Sequence, residues 1–292
     1  MTKKIVLIGN PVAGGGATKK IEEAVQILKN RGHDVHLMLT SKKGDAESFA
    51  KKIASEQKED VLVIAAGGDG TYNEVANGLV HSDITMAILP LGTTSVLARE
   101  LKISMKIESA VETALNGTVQ TVHVGRITLR GADESPVSRH FLLMAGVGFD
   151  GETVFNVSDK IKKYSGEGAY ILSGIRSLIA YDPEPITIKD KNISVLCYTA
   201  IIGKASCYGG DFRITPDARL TDPYFYVFVT HKKSRLALLR YVFGIIKGYH
   251  LNFKDIGYFK TTGIEIEGSA HIQIDGDYIG TAPARIEIVP DA

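Results

Sequence analysis

The stretch VLVIAAGGDGTYNEVANGL, residues 61–79, decides the first half of the fold. It opens with Val61–Ala66, an apolar run without polar alternation, as a strand buried on both faces of a parallel sheet requires. The glycines of Gly67–Gly70 let the backbone approach a ligand closely, and the helix predicted from Thr71 turns its positive end toward them, which favours a phosphate. Asp69 would repel an anion, so we expect Mg²⁺ between them. A tight turn with an acidic N-cap is the alternative, but it explains only one glycine and the aspartate.

The same strand–loop–helix unit recurs on both sides of this stretch. Strands are predicted at Ile5–Ile8, Val35–Thr40 and Met86–Leu89, and helices at Thr18–Arg31, Ala46–Glu56, Thr94–Leu101 and Ile107–Asn116. This alternation predicts a parallel, Rossmann-like sheet with helices on both faces. Two further turns, Gly9–Gly16 and Pro90–Ser95, also end strands, where an open α/β sheet binds its ligands. The first is not a Walker loop, because Gly15 and Gly16 stand where Lys and Ser or Thr are required.

The pattern changes after Val119 to short β-rich runs, which predict an antiparallel β-sandwich. These runs are Thr121–Leu129, Phe141–Ala145, Ile186–Lys189, Ser194–Ile202, Tyr224–Thr230, Gly263–Glu267, His271–Ile274 and Arg285–Val289. Helices are predicted at Gly168–Ala180 and Ser234–Gly248. We therefore expect two domains, 1–120 and 121–292, and allow the last strand to return to the first domain.

Composition excludes several classes of protein. The 292 residues are 44% hydrophobic and 23% charged, which argues against disorder, and the formal net charge of +1 is too balanced for binding along a nucleic-acid backbone. Two cysteines, Cys197 and Cys207, cannot build a disulfide framework, so we expect them to be buried and reduced. Without an apolar run of signal-peptide or transmembrane length, a cytoplasmic protein is expected.

In order along nearly the whole chain, the motifs resemble those of the diacylglycerol kinase catalytic-domain family, which includes bacterial lipid kinases and sphingosine kinases. The matching stretches are Asn10-Pro11-x-x-Gly14, Thr40 with Gly44-Asp45-Ala46, Gly67-Gly68-Asp69-Gly70-Thr71-x-Asn73-Glu74, Leu89-Pro90-Leu91-Gly92-Thr93, Gly168–Gly174, Pro216-x-Ala218-x-x-x-Asp222 and Asp275-Gly276-Asp277. The Gly-Gly-Asp-Gly block is shared with NAD kinases and phosphofructokinases, so on its own it indicates only that wider superfamily.

The resemblance implies an ATP-binding first domain and a second domain that helps to bind lipid. By position it assigns nucleotide contacts to Asn10, Pro11, Gly14, Thr40, Gly67, Gly68, Asp69, Gly70, Thr71, Asn73, Glu74 and Thr93. Asp69 would organise Mg²⁺ through water. Asp222, with the carbonyls of Arg219 and Tyr224, would form an accessory Mg²⁺ site, although Pro223 replaces the family's usual glycine. A turn residue is the alternative for Asp222.

The Asp275-Gly276-Asp277 turn resembles the family's Asp-Gly-Glu element, which supplies the general base. We favour Asp277, with Asp275 as the rival and an ordinary hairpin turn as the structural alternative. Two departures stand out, since Gly15 replaces a common lysine and Ser95-Val96 replaces Asn-Asp. Lys19 or Lys20 would be the replacement cation.

The function expected is a Mg²⁺-dependent lipid kinase that transfers the γ-phosphate of ATP to a diacylglycerol-like or sphingoid hydroxyl at a membrane surface. The expected location is cytoplasmic, including the inner face of the membrane, and a homodimer stays open. Two alternatives are a nucleotide-binding regulator of the same fold and a soluble-substrate kinase of the NAD kinase type.

Overall fold

The computed structural model describes residues 4–56, 61–92, 95–130, 135–156, 182–209 and 211–292. The chain divides into two compact units. One runs up to Val122 and includes Asp291–Ala292, and the other is His123–Pro290. Thr93 and the predicted helix Gly168–Ala180 lie outside the described residues.

The first unit contains a four-stranded parallel sheet in the order β2-β1-β3-β4. Its elements are β1 Lys4–Gly9, α1 Ala17–Asn30, β2 Asp34–Leu39, α2 Asp45–Glu56, β3 Val61–Gly67, α3 Asp69–Leu79, β4 Thr85–Pro90, α4 Val96–Glu100 and α5 Ile107–Asn116. Every residue of β3 is buried, because this strand has a neighbour on each side and helices over its faces. Apolar residues at helical spacing in α1, such as Ile21, Ala24 and Leu28, pack in the core beside the sheet.

The second unit is built from two six-stranded sheets. They have the orders β14-β13-β10-β7-β16-β17 and β6-β5-β18-β15-β8-β9, and β11 and β12 form a separate pair. The elements are β5 Val124–Arg130, β6 Pro136–Phe141, β7 Met144–Val147, α6 Phe149–Asn156, β8 Ile186–Lys189, β9 Ser194–Cys197, β10 Thr199–Gly203, β11 Cys207–Tyr208, β12 Phe212–Arg213, β13 Phe225–Thr230, α7 Arg235–Lys247, β14 Ile256–Thr261, β15 Gly263–Glu267, β16 His271–Ile274, β17 Asp277–Thr281 and β18 Ala284–Val289.

One hydrophobic core joins side chains of both six-stranded sheets. Val147, Val227 and Ile272 come from one sheet, and Ile186 and Ile286 come from the other. Within each of the two sheets, neighbouring strands pair in antiparallel fashion. The predicted fold class, a parallel α/β unit followed by an antiparallel β-sandwich, is confirmed.

Two details differ from the expected strands. The predicted strand Ser194–Ile202 is two strands, β9 and β10, which lie in different sheets. The last strand, β18, pairs with β5 and β15 inside the second unit, and of the residues after it only Asp291 and Ala292 belong to the first unit. There the Ala292 N–H donates to the Val122 carbonyl at 3.0 Å.

Helix α7 is capped at both ends as its sequence predicts. The Ser234 side chain accepts a hydrogen bond from the Ala237 N–H at 3.1 Å, and Gly248 ends the helix in a left-handed conformation with φ of 75°. Among the helices that the structure describes, none is both long and apolar enough to cross a membrane. Cys197 and Cys207 are both buried, as expected.

Candidate active site

The strands of the parallel sheet end at a common edge, and backbone hydrogen bonds join the residues that follow them. Asn10, directly after β1, donates its N–H to the Ala66 carbonyl at 2.9 Å. Thr40, directly after β2, donates its N–H to the Gly9 carbonyl at 2.9 Å. The predicted nucleotide contacts from three separate loops therefore lie along one sheet edge, where α/β folds bind ligands.

The loop after β3 is tight at its first glycine and open at the next two. A Cβ on Gly67 would lie 2.4 Å from Thr71 Oγ1, so only glycine fits there. Among the described residues, a Cβ on Gly68 or on Gly70 would meet no atom within 4 Å. The packing of the protein therefore does not explain these two glycines, and the open space lies at the N-terminus of α3, where N–H groups point outward.

Asp69 anchors the start of α4. Its Oδ2 accepts a hydrogen bond from the Val96 N–H and its Oδ1 from the Leu97 N–H, both at 2.9 Å. Burial raises the pKa of Asp69 above its ordinary value, and the hydrogen bonds from Leu97 and Val96 oppose that rise. A carboxylate has about four lone-pair positions, so the bonds from Val96, Leu97 and the N–H of Asp69 itself leave about one available. This arrangement fits a water-mediated contact with Mg²⁺.

Glu74 holds a neighbouring loop. Its carboxylate accepts hydrogen bonds from the Gly44 N–H at 2.9 Å and from the Ala46 N–H at 3.2 Å. Gly44 has φ of +90°, a conformation that favours glycine, and Ala46 lies in the first turn of α2. Glu74 therefore positions the loop between β2 and α2.

The other predicted nucleotide contacts of the first unit either make hydrogen bonds within the protein or lie in the loop after β1. Asn73 is buried, and its side-chain oxygen accepts a hydrogen bond from Asn77 Nδ2 at 3.0 Å. Asn10 Nδ2 donates to Thr71 Oγ1 at 3.3 Å, which links the loops after β1 and β3. Pro11 and Gly14 lie in the loop between β1 and α1.

Lys20 reaches the loop that follows β4. Its Nζ donates to the Leu91 carbonyl at 3.4 Å, a bond that spans 71 residues of sequence. Gly14 approaches the same carbonyl, because a Cβ placed on it would lie 3.2 Å from the Leu91 oxygen. Lys20 thus brings a positive charge to this part of the sheet edge.

The two aspartates predicted as candidates for the general base, Asp275 and Asp277, lie at a hairpin of the second unit. Asp275 and Gly276 connect β16 to β17 with φ of 48° and 88°, and Asp277 is the first residue of β17. Positive φ at both central residues is typical of a tight Asp-Gly hairpin turn. The Asp275 carboxylate accepts N–H groups from the segment 142–144 at 2.7, 2.9 and 3.0 Å, so it fixes the turn and is itself held in place.

A buried network of polar side chains is hydrogen-bonded to this hairpin. Gln273 donates from Nε2 to Asp150 Oδ2 at 2.5 Å and accepts the Gly276 N–H on Oε1 at 2.7 Å. The Tyr208 hydroxyl donates to the other Asp150 oxygen. Asp150 and Gln273 are both buried, and burial raises the pKa of Asp150. Sequence reasoning missed this network, because Asp150 and Gln273 are 123 residues apart and share no motif.

At the predicted accessory magnesium site, the Arg219 carbonyl accepts two hydrogen bonds, from the Asp222 N–H at 3.1 Å and from Lys204 Nζ at 2.6 Å. A carbonyl oxygen has two lone pairs, so a metal ion would have to displace one of these donors. Lys204 is completely buried, and its ammonium already supplies a positive charge at this carbonyl. The accessory site stays a prediction.

Within the described ranges, no group of three or more His, Cys, Asp or Glu side chains could hold a metal ion. A contact of Mg²⁺ with Asp69 through water would not need such a group.

Two family models together match most of the chain. The diacylglycerol kinase catalytic domain matches residues 4–127, and the YegS C-terminal NAD kinase beta sandwich-like domain matches residues 144–292. Diacylglycerol kinase of Bacillus subtilis (strain 168) is 30% identical over 97% of this chain and 92% of its own length. The chain belongs to the diacylglycerol kinase family. The resemblance seen in the motifs is therefore confirmed.

Other diacylglycerol kinases agree with this assignment. The diacylglycerol kinase of Staphylococcus saprophyticus is 30% identical over 98% of this chain and 92% of its own length. The crystal structure of a diacylglycerol kinase from Bacillus anthracis superimposes with a TM-score of 0.77 at 26% identity, and covers 99% of this chain and 95% of that one. Membership in the diacylglycerol kinase family makes the chain a kinase and implies that it uses ATP.

The resemblance to NAD kinases extends to the fold alone. Yeast NADH kinase complexed with NADH superimposes with a TM-score of 0.53 at 10% identity, over 100% of this chain and 81% of that one.

Proposed function

We propose that the protein is a Mg²⁺-dependent kinase that transfers the γ-phosphate of ATP to the hydroxyl of a membrane lipid, either diacylglycerol-like or sphingoid. The observation that carries the proposal is the open space at Gly68 and Gly70, above the N-terminus of α3, in a chain of the diacylglycerol kinase family. A peripheral location at the inner face of the membrane is part of the proposal.

The groups for binding ATP come from the edge of the parallel sheet. The N–H groups of Thr71 and Tyr72 donate to the Gly68 carbonyl. Other N–H groups at the start of α3 would bind phosphate oxygens, and the open glycines would let these oxygens approach. Lys20, which lies beside the loop after β4, would take over the cationic role that Gly15 cannot fill. Asn10 and Glu74 would keep the surrounding loops in place through their hydrogen bonds. Asp69 would hold Mg²⁺ through water, and the bound ion would offset the negative charge of the phosphates.

The proton of the acceptor hydroxyl would pass to a carboxylate of the Asp275–Asp277 hairpin. As the hydroxyl oxygen bonds to the γ-phosphorus, the bond from that phosphorus to the bridging oxygen breaks and ADP leaves. We assign the base to Asp277, because the Asp275 carboxylate already accepts three N–H groups that fix the turn. Asp275 remains the rival base.

The experiment that tests the proposal measures phosphate transfer from labelled ATP with Mg²⁺. A panel of diacylglycerols and sphingoid bases in mixed micelles is compared with NAD in parallel. A phosphorylated lipid is expected and would name the acceptor. Phosphorylation of NAD alone would replace the proposal by a soluble-substrate kinase. Tight ATP binding without transfer to any acceptor would replace it by a nucleotide-binding regulator.

Asp277→Asn should lower turnover about a hundredfold or more while ATP binding stays nearly unchanged, because general-base assistance is worth roughly 10²–10⁴ in rate. Turnover and the dissociation constant of ATP are both measured. Glu265→Gln is the matched control, since Glu265 is an exposed carboxylate on β15 in the other sheet.

Asp275→Asn separates the two carboxylates. If Asp277→Asn keeps most of its turnover and Asp275→Asn loses it without loss of folding stability, the base is Asp275. Equal losses of ATP binding and turnover in Asp277→Asn would instead make Asp277 a structural residue.

A further inference from the structure

Helix α7 has a buried side and an exposed apolar side. Ala237, Leu238 and Tyr241 face inward, and they pack with partly buried side chains such as Phe253 and Ile256. On the outer side stand six large apolar residues, each between 38% and 79% exposed. They are Leu236, Leu239, Val242, Phe243, Ile246 and, just beyond the helix, Tyr249. We call these six residues the α7 face.

The α7 face is a continuous stripe rather than scattered exposure. Leu236, Leu239, Phe243 and Ile246 follow one another at spacings of three and four residues, which places them on one side of a helix. Phe243 and Tyr249 are in edge contact with ring centroids 6.3 Å apart, so the aromatic end of the stripe is also continuous. Exposed apolar surface of this extent is typical of a docking site.

Positive charge surrounds this stripe. The segment 231–249 contains Lys232, Lys233, Arg235, Arg240 and Lys247 and no acidic residue. Among the described residues, three acidic side chains from elsewhere in the chain act on these cations. Asp182 pairs with Lys233 at 2.7 Å, and Glu184 also attracts Lys233. Asp255 pairs with Arg240 and lies 4.0 Å from Lys232. Five cations against three carboxylates leave a positive excess.

We infer that the α7 face docks on an anionic membrane surface. Apolar side chains that carry no hydrogen-bonding group, except the hydroxyl of Tyr249, suit the boundary between headgroups and acyl chains, and flanking cations suit anionic headgroups. Tyr249 and Phe243 are residue types that favour this boundary, and Lys247 lies 5.9 Å from the Phe243 ring, where its charge can stay at the headgroup level.

The dimensions of α7 agree with a helix that lies in the plane of the membrane surface. Thirteen residues at about 1.5 Å per residue give a length of about 20 Å, which is shorter than the hydrocarbon core of about 30 Å. The apolar stripe also runs along one side of the helix only, because the opposite side is used for packing in the protein.

Charge disfavours a second copy of this chain as the occupant. A symmetric dimer through the α7 face would bring the same surface of both copies together. Cations stand at both ends of the stripe, with Lys232 and Arg235 at one end and Lys247 at the other. Parallel and antiparallel arrangements would therefore both place like charges opposite each other.

The inference rests on the proposed function and deepens it. It names the surface through which the kinase would meet a lipid acceptor in a bilayer. Binding to a membrane needs neither ATP nor an acceptor. It can therefore be measured when turnover is absent.

The test is flotation of the full chain with vesicles of phosphatidylcholine alone or with about 30% phosphatidylglycerol, without ATP and without an acceptor lipid. We expect binding to the anionic vesicles that weakens as salt rises, and little binding to phosphatidylcholine alone. The double variant Leu236→Ser with Phe243→Ser should bind at least about tenfold more weakly. Lys232→Gln and Lys247→Gln should each weaken binding about fivefold at low salt.

The matched control replaces two exposed apolar residues away from α7, Val119→Ser with Leu196→Ser, and should bind as tightly as the original chain. Thermal unfolding confirms that each variant is folded. Equal binding by the α7 variant and the original chain would overturn the inference, and so would equal binding to both kinds of vesicle. A dimer in solution that only the α7 variant converts to a monomer would identify a second copy as the occupant.

Failure of this inference and failure of the proposed function give different results. A chain that binds vesicles through the α7 face but phosphorylates no lipid would leave the docking surface standing. Transfer of phosphate to a lipid, with vesicle binding unaffected by the α7 variants, would leave only the kinase standing.

Discussion

Lys204 is hydrogen-bonded to one of the groups that the family resemblance assigns to a metal ion, the Arg219 carbonyl. Its ammonium lies inside the second unit and donates to the Arg219 carbonyl, which also accepts the Asp222 N–H. The side chain of Lys204, the residue directly after β10, therefore holds the loop that leads to Asp222. A buried ammonium is stable only with its hydrogen-bond partners, so the interaction is part of the folded structure. Replacing the Lys204 side chain should therefore change the free energy of unfolding.

Lys204→Met should lower the free energy of unfolding by about 1–3 kcal/mol, because a neutral side chain of similar length cannot donate to the Arg219 carbonyl. Urea unfolding followed by circular dichroism measures the change. Lys191→Met, at an exposed lysine, should stay within about 0.5 kcal/mol of the original protein. An equally small effect at Lys204 would contradict its structural role.

The protonation of Asp150 should make stability depend on pH. Burial raises its pKa, against hydrogen bonds from Tyr208 and Gln273, so the folded chain keeps a proton that the unfolded chain loses near pH 3.8. Folded protein then binds more protons than unfolded protein, and stability falls as pH rises from about 3.8 through the raised value. The stability of the original chain relative to Asp150→Asn should therefore be greater at pH 4.5 than at about pH 7.5. Two stability curves with a constant difference would show that Asp150 does not titrate in this range.

Asp69 connects helix α3 to helix α4 through hydrogen bonds of its side chain. It lies in the first turn of α3, and its carboxylate accepts the first N–H groups of α4. Asp69→Ala should abolish turnover and also lower the free energy of unfolding by about 1–2 kcal/mol, as the loss of a helix cap does. The control is Ser104→Ala, because the Ser104 hydroxyl accepts the Lys106 N–H at 3.2 Å ahead of α5. It should lose about 1 kcal/mol and keep its turnover. Unchanged turnover in Asp69→Ala would contradict the Mg²⁺ role.

The elements that sequence predicts best are those with a strong local pattern. The helix Ile107–Asn116 and the strands Ile186–Lys189, Gly263–Glu267 and His271–Ile274 have the predicted bounds. The strands that the sequence did not predict include β6, β14 and β17, which all lie at sheet edges. An edge strand has one neighbour and carries more exposed polar residues, as in PVSRHF of β6, so its apolar alternation is weak.

The candidate site shows the same limit. Glycine-rich loops and the Asp-Gly turn are local patterns, so the sequence could predict their positions. The partners of Asp69, Asp275 and Lys204 could not be predicted, because they depend on contacts between residues that are 15 to 133 positions apart. These contacts decide whether a carboxylate or carbonyl is available to a ligand.

At the scale of the whole molecule, each unit has a hydrophobic core of its own. The fragment 123–292 should therefore fold alone and unfold cooperatively on heating. Circular dichroism and calorimetry measure this. A fragment that starts at residue 131 is the control, since it lacks β5, which pairs with both β6 and β18. It should not unfold cooperatively. A transition of the same sharpness in both fragments, or in neither, would contradict the prediction.

The open space at Gly68 and Gly70 also makes the protein suitable for chemical labelling. Cys197 and Cys207 are buried, and burial raises the pKa of the Cys197 thiol to about 12, so it stays protonated and unreactive. Gly70 is exposed, and a Cβ there would meet no atom of the described residues within 4 Å. A fluorophore on Gly70→Cys would stand at the start of α3, and its emission would report the arrival of a nucleotide independently of any phosphate transfer.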